Sequence, residues 1–238
     1  MKRINQLGMV LCVVTSVSAT GALADNALAT SFDWTGYYLG VDIGSSAGNG
    51  FVQEQTCLTN PACAGPIFQD IDDTSVVFGG RLSALKQLDS GLVLGALLGV
   101  GNGGSYSGPT VYGHGVDPTS IATLDFGLTG TARVELGYAM GRFLPYVDAG
   151  VVASRAQASL DQSGPNYAPA DTKTAYGWTV GVGMKYAPTD LLVLGVEYNY
   201  RKYGSTPLAA YDAVNDNTAI CGSDLEMHDI KATLELKY

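Results

Sequence analysis

Two histidines, four cysteines, a glycine-rich run and a set of acid-rich turn segments carry whatever chemistry this 238-residue chain has to offer. Gly99-Val100-Gly101-Asn102-Gly103-Gly104 matches G-x-G-x-x-G and follows a strand-like run. In a dinucleotide site the next residues must open a helix, whose N-terminus holds the pyrophosphate. Ser105-Tyr106-Ser107-Gly108-Pro109 starts no helix, so the run reads as a strand leaving into a flexible loop. Nucleophilic catalysis needs a histidine beside a serine or an oriented acid. His114 is flanked by glycines, and His228 precedes Asp229. On an extended strand those two neighbours point to opposite faces, so they form no local dyad. We therefore expect no catalytic residue and no bound cofactor. Heme ligation by His114 with a loop tyrosine, Tyr106 or Tyr112, is the one cofactor chemistry the residue types permit.

The acid-rich segments hold Glu54, Asp70, Asp72, Asp73, Asp117, Asp161, Asp171, Asp212, Asp216 and Asp224 with almost no bases. They read as a solvated, self-repelling surface, with Asp70, Asp72 and Asp73 as the one place for weak binding of a hard divalent cation. No metal site is expected otherwise, because zinc needs four clustered ligands and the histidines do not supply them. Cys57 and Cys63 bracket Asn60-Pro61 and are the expected disulfide pair in an oxidising compartment. Cys221 could take one of them instead, and one thiol is left over either way.

The elements that carry these residues alternate with period two, and almost nothing in the chain repeats at 3.6. Eight apolar faces can be read. They are Tyr37 to Ile43, Val76 to Ala84, Leu92 to Val100, Leu124 to Tyr138, Val147 to Ala153, Trp178 to Tyr186, Leu192 to Tyr200 and Ile230 to Tyr238, taking every second residue. The opposite faces hold Asp42, Arg81, Asp125, Arg133, Glu135, Asp148, Lys185, Glu197, Arg201, Asp229, Lys231, Glu235 and Lys237. A soluble β-sandwich also alternates, but its polar faces look outward. Here the polar face is nearly charge-balanced and the apolar face ends in aromatics, as at a membrane interface. Connections alternate short (Lys86–Gly91, Ala139–Leu144, Ala187–Asp190) and long (Ser46–Asp73, Gly103–Ser120, Ser159–Thr172, Gly204–Asp224). The fold expected is an all-β, eight-stranded antiparallel up-and-down transmembrane β-barrel. An open sheet is excluded, because hydrocarbon leaves no partner for an unpaired edge. Both ends and the short turns should face the periplasm, and four long loops the exterior. Eight strands enclose room only for side chains, so a packed lumen is expected.

Lys2 and Arg3, the apolar stretch from Leu7 to Val17, and Ala22-Leu23-Ala24 have the three parts of a secretory signal. We expect residues 1–24 to be a cleaved signal peptide and 25–238 to form the barrel, with Ala29 as the alternative cleavage site. Leu11 ahead of Cys12 is wrong for lipidation. Cleavage would remove two of the 13 basic and none of the 22 acidic residues, taking the net charge from −9 to −11. That balance argues against a nucleic-acid partner, which needs basic grooves. With 31 Gly, 14 Tyr and only 15% charged residues, the composition also departs from a soluble globule, which usually carries nearer a quarter charged.

Asp33-Trp34-Thr35-Gly36-Tyr37-Tyr38-Leu39-Gly40 resembles the opening strand of small outer-membrane barrels of alphaproteobacteria. That group includes porin-family surface immunogens and hemin-binding relatives, within the wider class of OmpA-type barrels. Ile230 to Tyr238 is similar to the family's terminal strand, whose last aromatic is read by the barrel-assembly machinery. The resemblance implies that Leu234, Leu236 and Tyr238 are the assembly signal and that the protein sits in the outer membrane, among lipid and lipopolysaccharide. It implies a structural or surface-interaction role toward a host or cell-surface ligand, with a small-solute channel or a hemin-binding barrel as the alternatives. The sequence ends at its eighth strand, so we expect none of the peptidoglycan-binding domain of full-length OmpA proteins.

Overall fold

A computed structural model describes residues 32–54, 67–112, 115–161, 172–204, 208–212 and 217–238. Nine strands follow in chain order: β1 (Gly36–Glu54), β2 (Ile67–Gln87), β3 (Leu92–Tyr112), β4 (Gly115–Tyr138), β5 (Phe143–Asp161), β6 (Lys173–Tyr186), β7 (Leu192–Tyr203), β8 (Leu208–Asp212) and β9 (Asn217–Lys237). Each pairs antiparallel with its sequence neighbour from β1 to β7, then β7 with β9, and β9 closes the circle on β1. The closing ladder is long, from Tyr38↔Lys237 to Glu54↔Cys221. β7 pairs with β9 up to Lys202↔Glu226, and β8 resumes along the same strand at Leu208↔Cys221. The two segments form one interrupted stave, so the closed barrel has eight.

The apolar faces look out. Leu39, Val41, Phe78, Leu98, Leu128, Val134, Val151, Val182, Val196 and Ile230 are all more than half exposed. Inside, Asp42, Arg81, Arg133, Glu135, Asp148, Lys185, Glu197, Arg201, Asp229 and Glu235 are buried. This inverts a soluble fold and suits a wall facing hydrocarbon with its polar groups paired within. Among the described residues no helix is long and apolar enough to cross a membrane. The three short turns and both barrel ends lie together: Tyr238 N donates to Tyr37 O at 2.8 Å, and the turn after β2 closes through Gly91 N to Leu88 O at 2.9 Å.

Two expectations need correction. Three of the four long connections, Ser46–Asp73, Gly103–Ser120 and Gly204–Asp224, are largely strand among the described residues, while most of Ser159–Thr172 lies outside them. β1 and β2 pair out to Glu54↔Ile67, β3 and β4 to Tyr112↔Gly115, and β8 and β9 to Asp212↔Asn217. A membrane strand needs about 9–11 residues, whereas β4 has 24, so the hairpins run on past the lipid. Their Gly, Asn and Asp content read as turn chemistry, but antiparallel pairing outside the bilayer tolerates those residues. The second correction concerns faces. A bulge between Phe126 and Thr129 sets two residues of β4, Gly127 and Leu128, against one of β5. A bulge of this kind re-aims the side chains beyond it. Leu124 and Phe126, expected on the lipid face, are therefore buried in the lumen, and Asp125 is exposed on the outside. β3 changes face at the same level. Gly104 has φ of +98°, a Cβ there would lie 2.5 Å from the Tyr106 hydroxyl, and Tyr106 turns inward.

Candidate functional site

Among the described residues buried charge gathers in the lumen, which is built in three layers. At the short-turn end Trp34, Tyr38, Leu85, Val93, Leu144, Ala187 and Val193 pack with Phe32 into an apolar plug. Hydrogen bonds fix the two large rings. Trp34 Nε1 donates to Gly141 O at 3.3 Å, Trp34 N to Gln87 Oε1 at 2.9 Å, and the Tyr38 hydroxyl to Trp34 O at 2.8 Å. Asp33 sits outside the plug and caps Thr35 N at 2.8 Å, which holds its carboxyl below the usual aspartate range. Lys237, expected inside the barrel, instead reaches the Asp33 carbonyl at the rim and lies 4.5 Å from the Phe32 ring centre.

The middle layer is ionic and centres on Glu197. Arg81 donates to it with both terminal nitrogens, at 2.9 and 2.8 Å. Tyr146 and Asn199 add donors at 3.0 Å each, and Arg133 reaches it at 3.4 Å. Arg133 also bonds Asn199 Oδ1 at 2.6 Å and Asp148 at 3.2 Å. Below, Lys185 meets Glu135 at 2.8 Å and approaches Glu235 at 3.9 Å. Asp42 lies between Arg81 at 3.4 Å and Lys231 at 3.1 Å. Gly181 makes room for this network, since a Cβ there would stand 2.4 Å from Asn199 Oδ1.

The third layer closes the opposite mouth. Arg201 grips Asp229 at 2.7 Å and donates to Ser46 Oγ and the Tyr203 hydroxyl, both at 3.2 Å. Phe126 packs on Tyr203 with ring centres 4.9 Å apart, and the Tyr106 hydroxyl donates to Ser46 Oγ at 2.6 Å. Low dielectric makes an unpaired buried charge costly, and here nearly every charge spends its donors or lone pairs on a neighbour. The arrangement can hold the wall rigid.

The residues singled out from the sequence fare differently. Cys57, Cys63 and His114 lie outside the described residues. So do the side chains of Cys221, Tyr112, Asp70 and Asp72, although their backbones lie in strands. Tyr106, read as a loop tyrosine, is fully buried in the lumen. Asp73 accepts from the backbone amides of Thr74 at 2.7 Å and Ser107 at 2.9 Å. His228 sits on the outer wall, where its Nδ1 is 2.6 Å from the Tyr198 hydroxyl, while Asp229 points inward as alternation requires. Leu234, Leu236 and Tyr238 face outward on the closing strand, and Tyr238 is 73% exposed. The plug residues Trp34 and Tyr38 were missed as lumen residues. The only signal was an aromatic at the inward-facing position of Tyr37-Tyr38.

An apolar outer belt, a charge-paired lumen and a closed antiparallel circle together define an integral outer-membrane β-barrel protein. The family model for the outer membrane protein beta-barrel domain matches residues 9–236, and the chain belongs to that family. It is 26% identical to the 31 kDa outer-membrane immunogenic protein of Brucella melitensis, over 97% of this chain and 99% of that one. It is 30% identical to the 22 kDa outer membrane protein of Rhizobium leguminosarum bv. viciae, over 54% of each. Among solved structures it is similar in fold to the outer membrane protein OprG of Pseudomonas aeruginosa. The TM-score is 0.58 at 10% identity, covering 87% of this chain and 99% of that one. The Escherichia coli outer membrane protease OmpT also shares the fold, with TM-score 0.54 at 12% identity, over 87% and 98%. The protein is thus an outer-membrane protein of the same barrel family as these alphaproteobacterial relatives.

Proposed function

We infer that the barrel is a non-enzymatic anchor and that its work is surface interaction by the hairpins that rise beyond the lipid. The observation that carries this reading is the three-layered lumen, plugged at one mouth by Trp34 and Tyr38 and at the other by Tyr106, Phe126 and Tyr203. A conduit needs polar groups facing water along its axis, and these are committed to each other. The hairpins are where lipopolysaccharide, a host molecule or another cell would be met. Several relatives are named immunogenic outer-membrane proteins, which agrees with hairpins that reach the cell surface. Likeness to a protease in fold alone carries no catalysis, and His228 is engaged with Tyr198 on the wall. Assembly is read from Leu234, Leu236 and Tyr238 by the barrel-assembly machinery, after removal of residues 1–24 as a signal peptide.

The competing reading is a small-solute channel, and conductance separates the two. Purified protein in planar bilayers should give no steps on the nanosiemens scale. Reproducible steps of that size, abolished by refolding a barrel-deficient variant, would overturn the anchor reading. A barrel carrying this protein's hairpins on a neutral scaffold should keep its surface binding, whereas binding that stays with the staves would also count against it.

A further inference from the structure

The ladder between β2 and β3 begins at Gln87↔Val93 and stops at Gly79↔Gly101. Both strands continue. β2 stays paired with β1 as far as Ile67, and β3 with β4 as far as Tyr112. Beyond Gly79 and Gly101, among the described residues, each strand is held by its other neighbour, and side chains span the gap between them. Asn102 accepts from Phe78 N at 2.6 Å and donates to Val76 O at 3.0 Å. Ser75 Oγ accepts from Ser105 N at 3.0 Å, and Asp73 from Ser107 N at 2.9 Å. The gap starts within the apolar belt, because Val76, Phe78 and Val100 are all more than half exposed. It therefore opens at the level of one leaflet's edge.

Directly behind it lies a cavity of about 40 Å³, lined from the seam by Gly79, Gly99, Gly101 and Asn102 and from the lumen by Thr131 and Arg133. That volume admits a water molecule. Arg133 Nε is buried there without a hydrogen-bond partner. The cavity falls where it does because β3 turns only small or apolar side chains inward, so no charge of its own fills the space behind Gly99 and Gly101. Both axial mouths are plugged, and the same cavity reaches Phe78 and Val100 of the outer wall. The shortest way in is sideways.

We propose that the β2–β3 seam is a lateral portal, latched by Asn102, through which water and ions of similar size reach the lumen from the outer-leaflet edge. Backbone ladders must break several bonds together to part, whereas the Asn102 latch is one side chain turning about two torsions. The portal ends at the ionic layer, so it hydrates the lumen without conducting across the membrane. It neither requires nor weakens the anchor reading, and conductance and portal tests fail independently.

The test uses the folded full-length barrel in liposomes with Cys12, Cys57, Cys63 and Cys221 changed to serine and Thr131→Cys as the single thiol. Thr131 faces the cavity, its Oγ1 being 2.6 Å from where a Cβ on Gly99 would stand. Silver ion, a thiol-reactive probe of water size, is applied from outside. The unreacted thiol is then counted after denaturation. Asn102→Ala should speed modification at least tenfold. Asn102→Asp keeps the acceptor for Phe78 N and loses the donor to Val76 O, so it should fall between; it also serves if Asn102→Ala fails to migrate as a heat-modifiable barrel. Tyr203→Ala, which loosens the axial mouth, should leave the rate unchanged. Equal rates with and without Asn102, or acceleration by Tyr203→Ala alone, would overturn the portal.

Discussion

Removing the carboxylate of Glu197 is the sharpest way to ask whether the ionic layer holds the barrel together. Glu197→Ala takes away both terminal contacts of Arg81, the 3.4 Å contact of Arg133 and the acceptors of Tyr146 and Asn199. Global charge balance is not what suffers. Among the described residues six acids and five bases face the lumen, so losing one acid brings that count level. The cost is local, because Arg81 is left with Asp42 at 3.4 Å and Glu235 at 3.6 Å, neither in a two-pronged geometry. Breaking a buried pair by deleting one partner costs about 3–5 kcal/mol, and those residual partners place Glu197→Ala toward the lower end. Glu197→Gln keeps the shape and should lose less. The double change Arg81→Leu with Glu197→Leu should recover much of the loss, since neither charge is then stranded. Reversible denaturant unfolding into and out of liposomes measures all three, with Val196→Ala on the lipid face as the control. If Glu197→Ala cost under about 1 kcal/mol, water in the adjoining cavity would be replacing the lost carboxylate at Arg81, and the Arg81–Glu197 pair would not be what holds the barrel together.

Four further outcomes are expected. A lipid-restricted label should modify a cysteine at 128 and spare one at 126, because the β4 bulge turns Phe126 inward; the opposite pattern would remove the bulge. Leu128→Arg should cost roughly 2–4 kcal/mol in the same unfolding assay. Trp34→Ala should cost about 3–5 kcal/mol by opening the apolar plug, and an unchanged unfolding midpoint would show that the plug is not part of the folded core. Deleting Leu236–Tyr238 should strand the protein in the periplasm, with Tyr238→Ala milder, since β9 must close on β1; normal membrane levels of heat-modifiable protein would refute that.

Much of the wall was legible because lipid outside and paired charge inside impose one strict alternation. Arg133 and Glu135 inward with Val134 outward followed from that alone. The alternation stops being informative where the lumen itself turns apolar. Leu124, Phe126 and Leu128 keep perfect period two, yet the bulge at Gly127 and Leu128 sends the first two inward and the third out. A polar residue at 124 or 126 would have betrayed the flip. Trp34 and Tyr38 were hidden for the same reason, being apolar residues on the inner face. The extended hairpins escaped notice because Gly, Asn and Asp favour turns locally, while pairing between neighbouring strands is a tertiary effect. The seam was invisible for a related reason: which strand edges pair is not written in either strand separately.

The closing ladder also sets a timetable. β2 and β3 begin to pair across the few residues between Gln87 and Val93, but Tyr38 meets Lys237 across nearly the whole chain. Contacts so distant in sequence form slowly, because most of the loop entropy must be surrendered before any of them rewards it. Until the last strand is delivered, β1 keeps an open edge and the outward apolar belt has no lipid to face. Such a half-built sheet is the kind of species that aggregates. Strand order therefore makes the earliest part of the barrel wait for the latest, and an escort in the aqueous compartment becomes a requirement of the topology.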